Sequence, residues 1–204
     1  MAKRILLVEG ADDKHVILAL RKAHNIPEVF EIFTSDGIEP LIDSLGVRLK
    51  GSDLERLAVV VDADEDLQAR WNRIVNKVAV IGLGQLPATP SIGGTTVELS
   101  GGIRFGVWVM PDNHLPGILE HFIAHLVPLG DLLMPRVDQF LQAIPVSERK
   151  FSVVSEPKAR IHSWLAIQEI PGRPLGLSIT ANFLDANAPV VGAFIQWIQA
   201  VLVA

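Results

Sequence analysis

Three carboxylates stand where a parallel sheet would gather them. Glu9 follows the apolar run Ile5-Leu6-Leu7-Val8 and precedes Gly10, while Asp62 and Asp64 follow Leu57-Ala58-Val59-Val60-Val61 with Ala63 between them. In an open α/β sheet, functional groups collect in the crevice beyond the carboxyl ends of the strands. Carboxylates crowded there raise one another's pKa unless a positive charge lies among them. Mg²⁺ answers that need, because it takes oxygen ligands, commonly one or two carboxylates with waters and substrate phosphates. The expected chemistry is therefore that of a Mg²⁺ site, with Mn²⁺ as a substitute. In an extended segment Asp62 and Asp64 would face one side and Ala63 the other. Glu9 is expected as a further ligand or as a general base for water. Taken alone, the acidic run from Asp62 to Asp66 would be a solvated loop capping the next helix. The Glu9-Gly10 pair on a second strand end turns it into a candidate metal site.

The elements that must position these groups are legible in the first half. The strand leading to Glu9 precedes a helix with Val16, Ile17, Leu20 and Ala23 at helical spacing and Asp12 as its expected cap. A second strand is predicted over Val29–Phe33 and a helix from Ile38 to about Leu49. The strand ending at Asp62 precedes a long helix from Leu67 through Ala79. This βαβαβα alternation predicts a mostly parallel α/β sheet with right-handed crossovers, flanked by helices. Farther on, Gly82 to Gly94 reads as a loop. Val97 to Met110, broken at Gly101-Gly102, reads as a hairpin. Helices are expected near Gly117–Leu126, Asp131–Ala143, Pro157–Glu169 and Pro189–Val203. A single domain over residues 1–204 is expected, with a core over about 1–110 and a helical elaboration over about 111–204.

Composition narrows the classes. The chain has 204 residues, 49% hydrophobic and 20% charged, which is globular rather than disordered. The formal net charge of −5 argues against a protein that coats nucleic acid, which would be basic. A nuclease remains compatible, because a metal joins phosphate to carboxylate and a local basic strip, here Arg136, Arg149, Lys150, Lys158 and Arg160, can follow the backbone. With no cysteine there are neither disulfides nor thiolate zinc sites. No signal-like segment opens the chain, and the apolar stretch Ala188–Ala204 is shorter than the ~20 residues of a membrane span. A cytoplasmic protein with no membrane association is expected. That last stretch is expected to be a core helix or the contact of a homodimer.

The segments Leu6-Leu7-Val8-Glu9-Gly10 and Val59-Val60-Val61-Asp62-Ala63-Asp64 resemble the two signature motifs of Toprim domains, a strand-end Glu-Gly and a later Asp-x-Asp. The match covers roughly residues 1–85. The whole chain is also similar to a group of small bacterial Toprim-like proteins, whose second half carries motifs like Pro111-Asp112-Asn113 and Leu119-Glu120. The resemblance implies a Toprim-like, Rossmann-like fold. It also implies Mg²⁺ at the Asp-x-Asp pair and Glu9 in proton transfer or metal binding during phosphodiester chemistry. The chain contains no tyrosine. A Toprim topoisomerase, which needs that hydroxyl to hold a cleaved strand, is therefore excluded. A zinc-ribbon primase is disfavoured by the lack of cysteine. What remains resembles the small Toprim ribonucleases and the nuclease domain of the OLD (overcoming lysogenisation defect) family. The OLD-like nucleases add a downstream Glu and Lys. That resemblance implies Glu120 as a further metal ligand and Lys158 as the cation that neutralises charge on the phosphate.

Two other function classes stay open: a catalytically silent Toprim-like module that binds metal, nucleic acid or protein, and a receiver-like domain phosphorylated at Asp62. The receiver lacks support at Gly10-Ala11, where adjacent carboxylates are needed, and at Met110-Pro111, where Lys-Pro is needed. His121 and His125 lack the Glu that a zincin places directly after its first His. Neither Gly82-Leu83-Gly84 nor Gly93-Gly94 leads into a phosphate loop. Asp112 and Asn113 are expected at the site rim. Trp71, Trp108, Trp164 and Trp197 are expected in the core or an interface.

Overall fold

The computed structural model describes residues 3–204. Five strands and eight α-helices follow one another as β1 (Lys3–Val8), α1 (Ala11–Ala23), β2 (Glu31–Thr34), α2 (Ile38–Arg48), β3 (Leu54–Asp62), α3 (Leu67–Ile81), β4 (Thr95–Leu99), β5 (Ile103–Met110), α4 (Leu119–Ala124), α5 (Met134–Ala143), α6 (Glu156–Ala166), α7 (Leu175–Thr180) and α8 (Pro189–Ile198). The sheet order is β2-β1-β3-β5-β4. All neighbours are parallel except β4, which returns antiparallel on β5. This is a mixed α/β fold with a mostly parallel sheet flanked by helices.

Period-two alternation divides the strands between two apolar layers. Ile5, Leu7, Val59, Val61, Phe105 and Val107 pack on the face covered by α2 and α3. Leu6, Val8, Ala58, Val60, Trp108 and Met110 pack on the other face, against α1 and the helices that follow β5. Residues 111–204 therefore join α1 in that second layer. All four tryptophans are buried there or on the opposite face.

Helix α8 presents Val191, Phe194, Ile195, Trp197 and Ile198 to the sheet, and all five are buried. A π-helical turn, Gln199–Val203, continues it. Much of the apolar character of this segment is spent inside the chain, as its core-helix expectation required. Its last carbonyls meet a row of arginines. Arg4, Arg56 and Arg104 stand in register on β1, β3 and β5. Arg4 Nη1 donates to the Leu202 carbonyl at 3.1 Å, Arg56 Nη1 to Val201 at 3.2 Å and Arg104 Nη1 to Ala200 at 3.1 Å. Cations suit a helix C-terminus, where carbonyls lack intrahelical partners. This anchor lies at the opposite end of the sheet from Glu9 and Asp62.

Some boundaries differ from expectation. Helix α1 is capped at Gly10 and not at Asp12, with the Gly10 N–H donating to Asp13 Oδ2 at 2.9 Å. Strand β2 begins two residues late, at Glu31. Helix α4 begins only at Leu119, because Gly117 is held in a bridge to Asp64. Helix α7 had no sequence signal, being six residues long. It packs on α1 so closely that a Cβ at Gly176 would lie 2.5 Å from the His15 carbonyl oxygen. Among the described residues, no helix is long and apolar enough to cross a membrane.

Candidate functional site

The site forms where β1 and β3 end. One residue past β1, Glu9 turns its side chain across to the neighbouring strand, and Oε1 accepts the Asp62 N–H at 2.8 Å. Asp62 is the last residue of β3, and its Oδ1 is buried with no hydrogen-bond partner. Helix α1 starts immediately after the Glu9-Gly10 turn, which brings Asp13 of its first turn to the same place. From the opposite half of the chain, α4 supplies Glu120, 1% exposed. Its Oε1 pairs with Lys158 Nζ of α6, and its Oε2 is buried without a partner.

The electrostatics follow from this crowding. Burial, then the nearby charges of Asp13, Glu9, Asp64 and Glu120, raise the Asp62 pKa from its ordinary 3.8 to about 8. Burial likewise lifts Asp13 to about 6, with Glu120 and Asp12 adding to it against the Gly10 N–H. Glu9 is raised by burial, opposed by the Asp62 N–H and by Arg70. Burial pulls the Lys158 pKa down, but the hydrogen bond and charge of Glu120 outweigh it, and the ammonium is held above its usual range. Without a cation, burial first and the neighbouring carboxylates second favour the protonated form of Asp62.

The family model described as a protein of unknown function (DUF3226) matches residues 3–203. The chain belongs to the DUF3226 family. No curated protein and no solved structure matches it.

In this DUF3226 member the sequence-predicted residues Glu9, Asp62 and Glu120 meet, and Lys158 reaches the group through Glu120. Asp64 departs from its expected orientation. The β-ladder stops at Asp62, and Asp64 takes a left-handed backbone with φ 53° while its N–H donates to the Gly117 carbonyl at 2.9 Å. The alternation rule fails where the strand ends, and the Asp64 carboxylate pairs with Arg70 of α3. The predicted basic strip is largely engaged within the chain. Arg160 pairs with Asp138 at 2.5 Å, Arg149 Nη2 donates to the Leu141 carbonyl at 3.3 Å, and Lys158 holds Glu120. Asp112 and Asn113 build the turn after β5. Asp112 Oδ1 accepts the His114 N–H at 2.9 Å, and Asn113 Oδ1 accepts the Val109 N–H at 2.7 Å. His121 Nδ1 accepts the Ile118 N–H at 3.1 Å.

Two participants, Asp13 and Arg70, lie outside the set expected from the sequence. Asp13 carried a usable signal: it lies one helical turn beyond Glu9, in a helix that starts at the strand end. Arg70 carried another, since a cation near a helix N-terminus opposes the helix dipole and calls for an acidic partner. Among the described residues, no three His, Asp or Glu side chains form a ready metal-holding group. The unpaired oxygens Asp62 Oδ1 and Glu120 Oε2 are nevertheless donors of the kind Mg²⁺ takes. Mg²⁺ commonly uses one or two protein carboxylates and fills its other positions with water and phosphate. The donor chemistry fits that mode and not a full protein cage.

Proposed function

We propose that this DUF3226 chain is a Mg²⁺-dependent phosphodiester hydrolase, a nuclease like the Toprim enzymes that its two strand-end motifs resemble. The observation that carries the proposal is the convergence of Glu9, Asp13, Asp62 and Glu120, with Lys158 at the rim, around two buried carboxylate oxygens that have no partner. Asp62 and Glu120 would hold Mg²⁺, which supplies positive charge to the phosphoryl oxygens. Glu9 is fixed by the Asp62 N–H and acts as general base. Burial raises its pKa above the usual carboxylate range, which makes it a stronger base toward water. The oxygen of an attacking water bonds to phosphorus while one proton passes to Glu9. The phosphorus–oxygen bond to the leaving group breaks, and that oxygen keeps the electron pair and takes a proton from solvent. The Lys158 ammonium, exposed beside Glu120, offsets charge on the phosphoryl oxygens.

Open clefts of ≈ 280 Å³, beside Glu120 and His121, and ≈ 500 Å³, beside Asp64 and Arg70, leave room for a polymer. Exposed Val153 and Val154 line one cleft each. Nucleic acid is the substrate we favour, in the cytoplasm.

A second reading has its own observation. Asp64 and Glu120 are already paired with basic side chains, as in a module that binds without turnover. The test is cleavage of end-labelled single- and double-stranded DNA and RNA with Mg²⁺ or Mn²⁺. Cleavage should fall by about 10²-fold or more in Asp62→Asn. Binding without cleavage selects the silent module. An acid-labile phosphate acquired from a small phosphodonor, and lost in Asp62→Asn, selects the receiver reading.

A further inference from the structure

Arg70 is a buried cation for which the hydrolytic scheme gives no role. It lies just inside the N-terminus of α3, where the helix dipole opposes it, yet only 7% of it is exposed. Nη2 pairs with the Asp64 carboxylate, while Nη1 is buried and has no partner. Its charge also reaches Glu9. Asp64 is immobilised from the other side by its left-handed backbone and its bond to Gly117. A guanidinium is costly to bury, and taking away its half-exposed partner Asp64 leaves it uncompensated.

The consequence is an uneven distribution of charge. Asp64 is paired with a cation that belongs to the chain, and the charge of that cation reaches Glu9. On the other side Lys158, with a 55% exposed side chain, reaches only one oxygen of Glu120. Asp62 Oδ1 and Glu120 Oε2 stay free. A metal ion bound beside Asp64 would have to displace the guanidinium or share the carboxylate with it. Either course brings the metal against the like charge of the guanidinium, at a carboxylate whose side chain is 51% exposed.

We propose that Arg70 is a positioning residue that stands in for a metal beside Asp64 and Glu9, so that the centre takes one divalent cation, on Asp62 and Glu120, and Asp64 is an anchor instead of a ligand. This rests on the metal-dependent reading above. It departs from the ligand role that the Asp-x-Asp resemblance implies for Asp64.

The experiment is Mn²⁺ titration by calorimetry of the full chain, together with melting curves in chelator. The variants are Asp62→Asn, Asp64→Asn, Arg70→Gln, Arg70→Lys and the Arg70→Gln/Asp64→Asn double variant. Asp62→Asn should lose binding, while the Arg70→Gln/Asp64→Asn double variant, which removes the pair without changing the net charge, should stay within about threefold of wild type. Arg70→Gln, which frees Asp64 and removes a positive charge, should bind about tenfold tighter or more, with Arg70→Lys near wild type. In chelator, Asp64→Asn alone should lower Tm more than the double variant does, because it leaves Arg70 buried and unpaired. Loss of binding in the double variant alongside Asp62→Asn overturns the role of Arg70 and leaves the metal site standing. So does Arg70→Gln binding no tighter than wild type. If neither wild type nor Arg70→Gln takes up Mn²⁺, the metal reading falls and this assignment with it. Arg70→Lys and the double variant decide the matter should Arg70→Gln fail to fold.

Discussion

Asp62 carries a stability cost that its surroundings make specific. The folded chain holds its proton up to about pH 8, whereas an ordinary aspartate releases it near 3.8. Between those values the folded state binds a proton that the unfolded state has lost, so stability falls as pH rises. The stabilisation is complete below about pH 4 and gone above about pH 8, with Asp13 adding the same trend up to about 6. The total change is on the order of a few kcal/mol. Melts of the chelated protein from pH 4 to 9 should therefore show a falling Tm. Asp62→Asn should flatten the slope and melt above wild type at pH 8–9. A wild-type Tm that climbs through this range would contradict the buried cluster. Strand-end position and residue type pointed to Glu9, Asp62 and Asp64 in the sequence, while Glu120 and Lys158 came through family resemblance. Asp13 was hidden because it also serves as an ordinary first-turn acid, bonding the Gly10 N–H.

At the scale of elements, α8 and the turn after it depend on close approach to β5. A Cβ at Gly106 would lie 2.5 Å from Val201 Cγ2 and 3.2 Å from Trp197. Gly106→Ala should therefore destabilise the chain by about 1–3 kcal/mol through overpacking, read as a lower denaturation midpoint at unchanged slope. A neutral Gly106→Ala would mean that the last helix sits farther from the sheet. The row of Arg4, Arg56 and Arg104 is tolerated because Glu55 bridges the first two, Glu98 meets the third, and the helix end accepts their remaining donors. The helical period and Pro189 made α8 itself legible. Its partner was not, because the choice between sheet and second copy depends on which apolar face lies nearest after folding.

For the whole molecule, the layer on the α1 side joins residues far apart in the chain, from Leu6 and Val8 to Val201 and Leu202. A chain cut after Met110 would leave Val60, Trp108 and Met110 facing water on that side. Unfolding of residues 1–204 should be a single cooperative transition, and a fragment of residues 1–110 should show no dispersed amide spectrum. Two transitions, or a folded fragment, would restore the separate core and elaboration expected over those ranges. Local pattern was enough to determine the strands, most helices, the parallel character of the sheet and the carboxylates at the strand ends, since period and turn chemistry are written within a few neighbouring residues. Tertiary structure alone decided which of those carboxylates keep free oxygens. Lys158 and Glu120 are 38 residues apart, and Arg70 meets Asp64 only because the chain leaves the β-ladder at Ala63. Pairing of charges is a property of distance in space, and folding sets that distance through the order of the sheet and the layers packed on it.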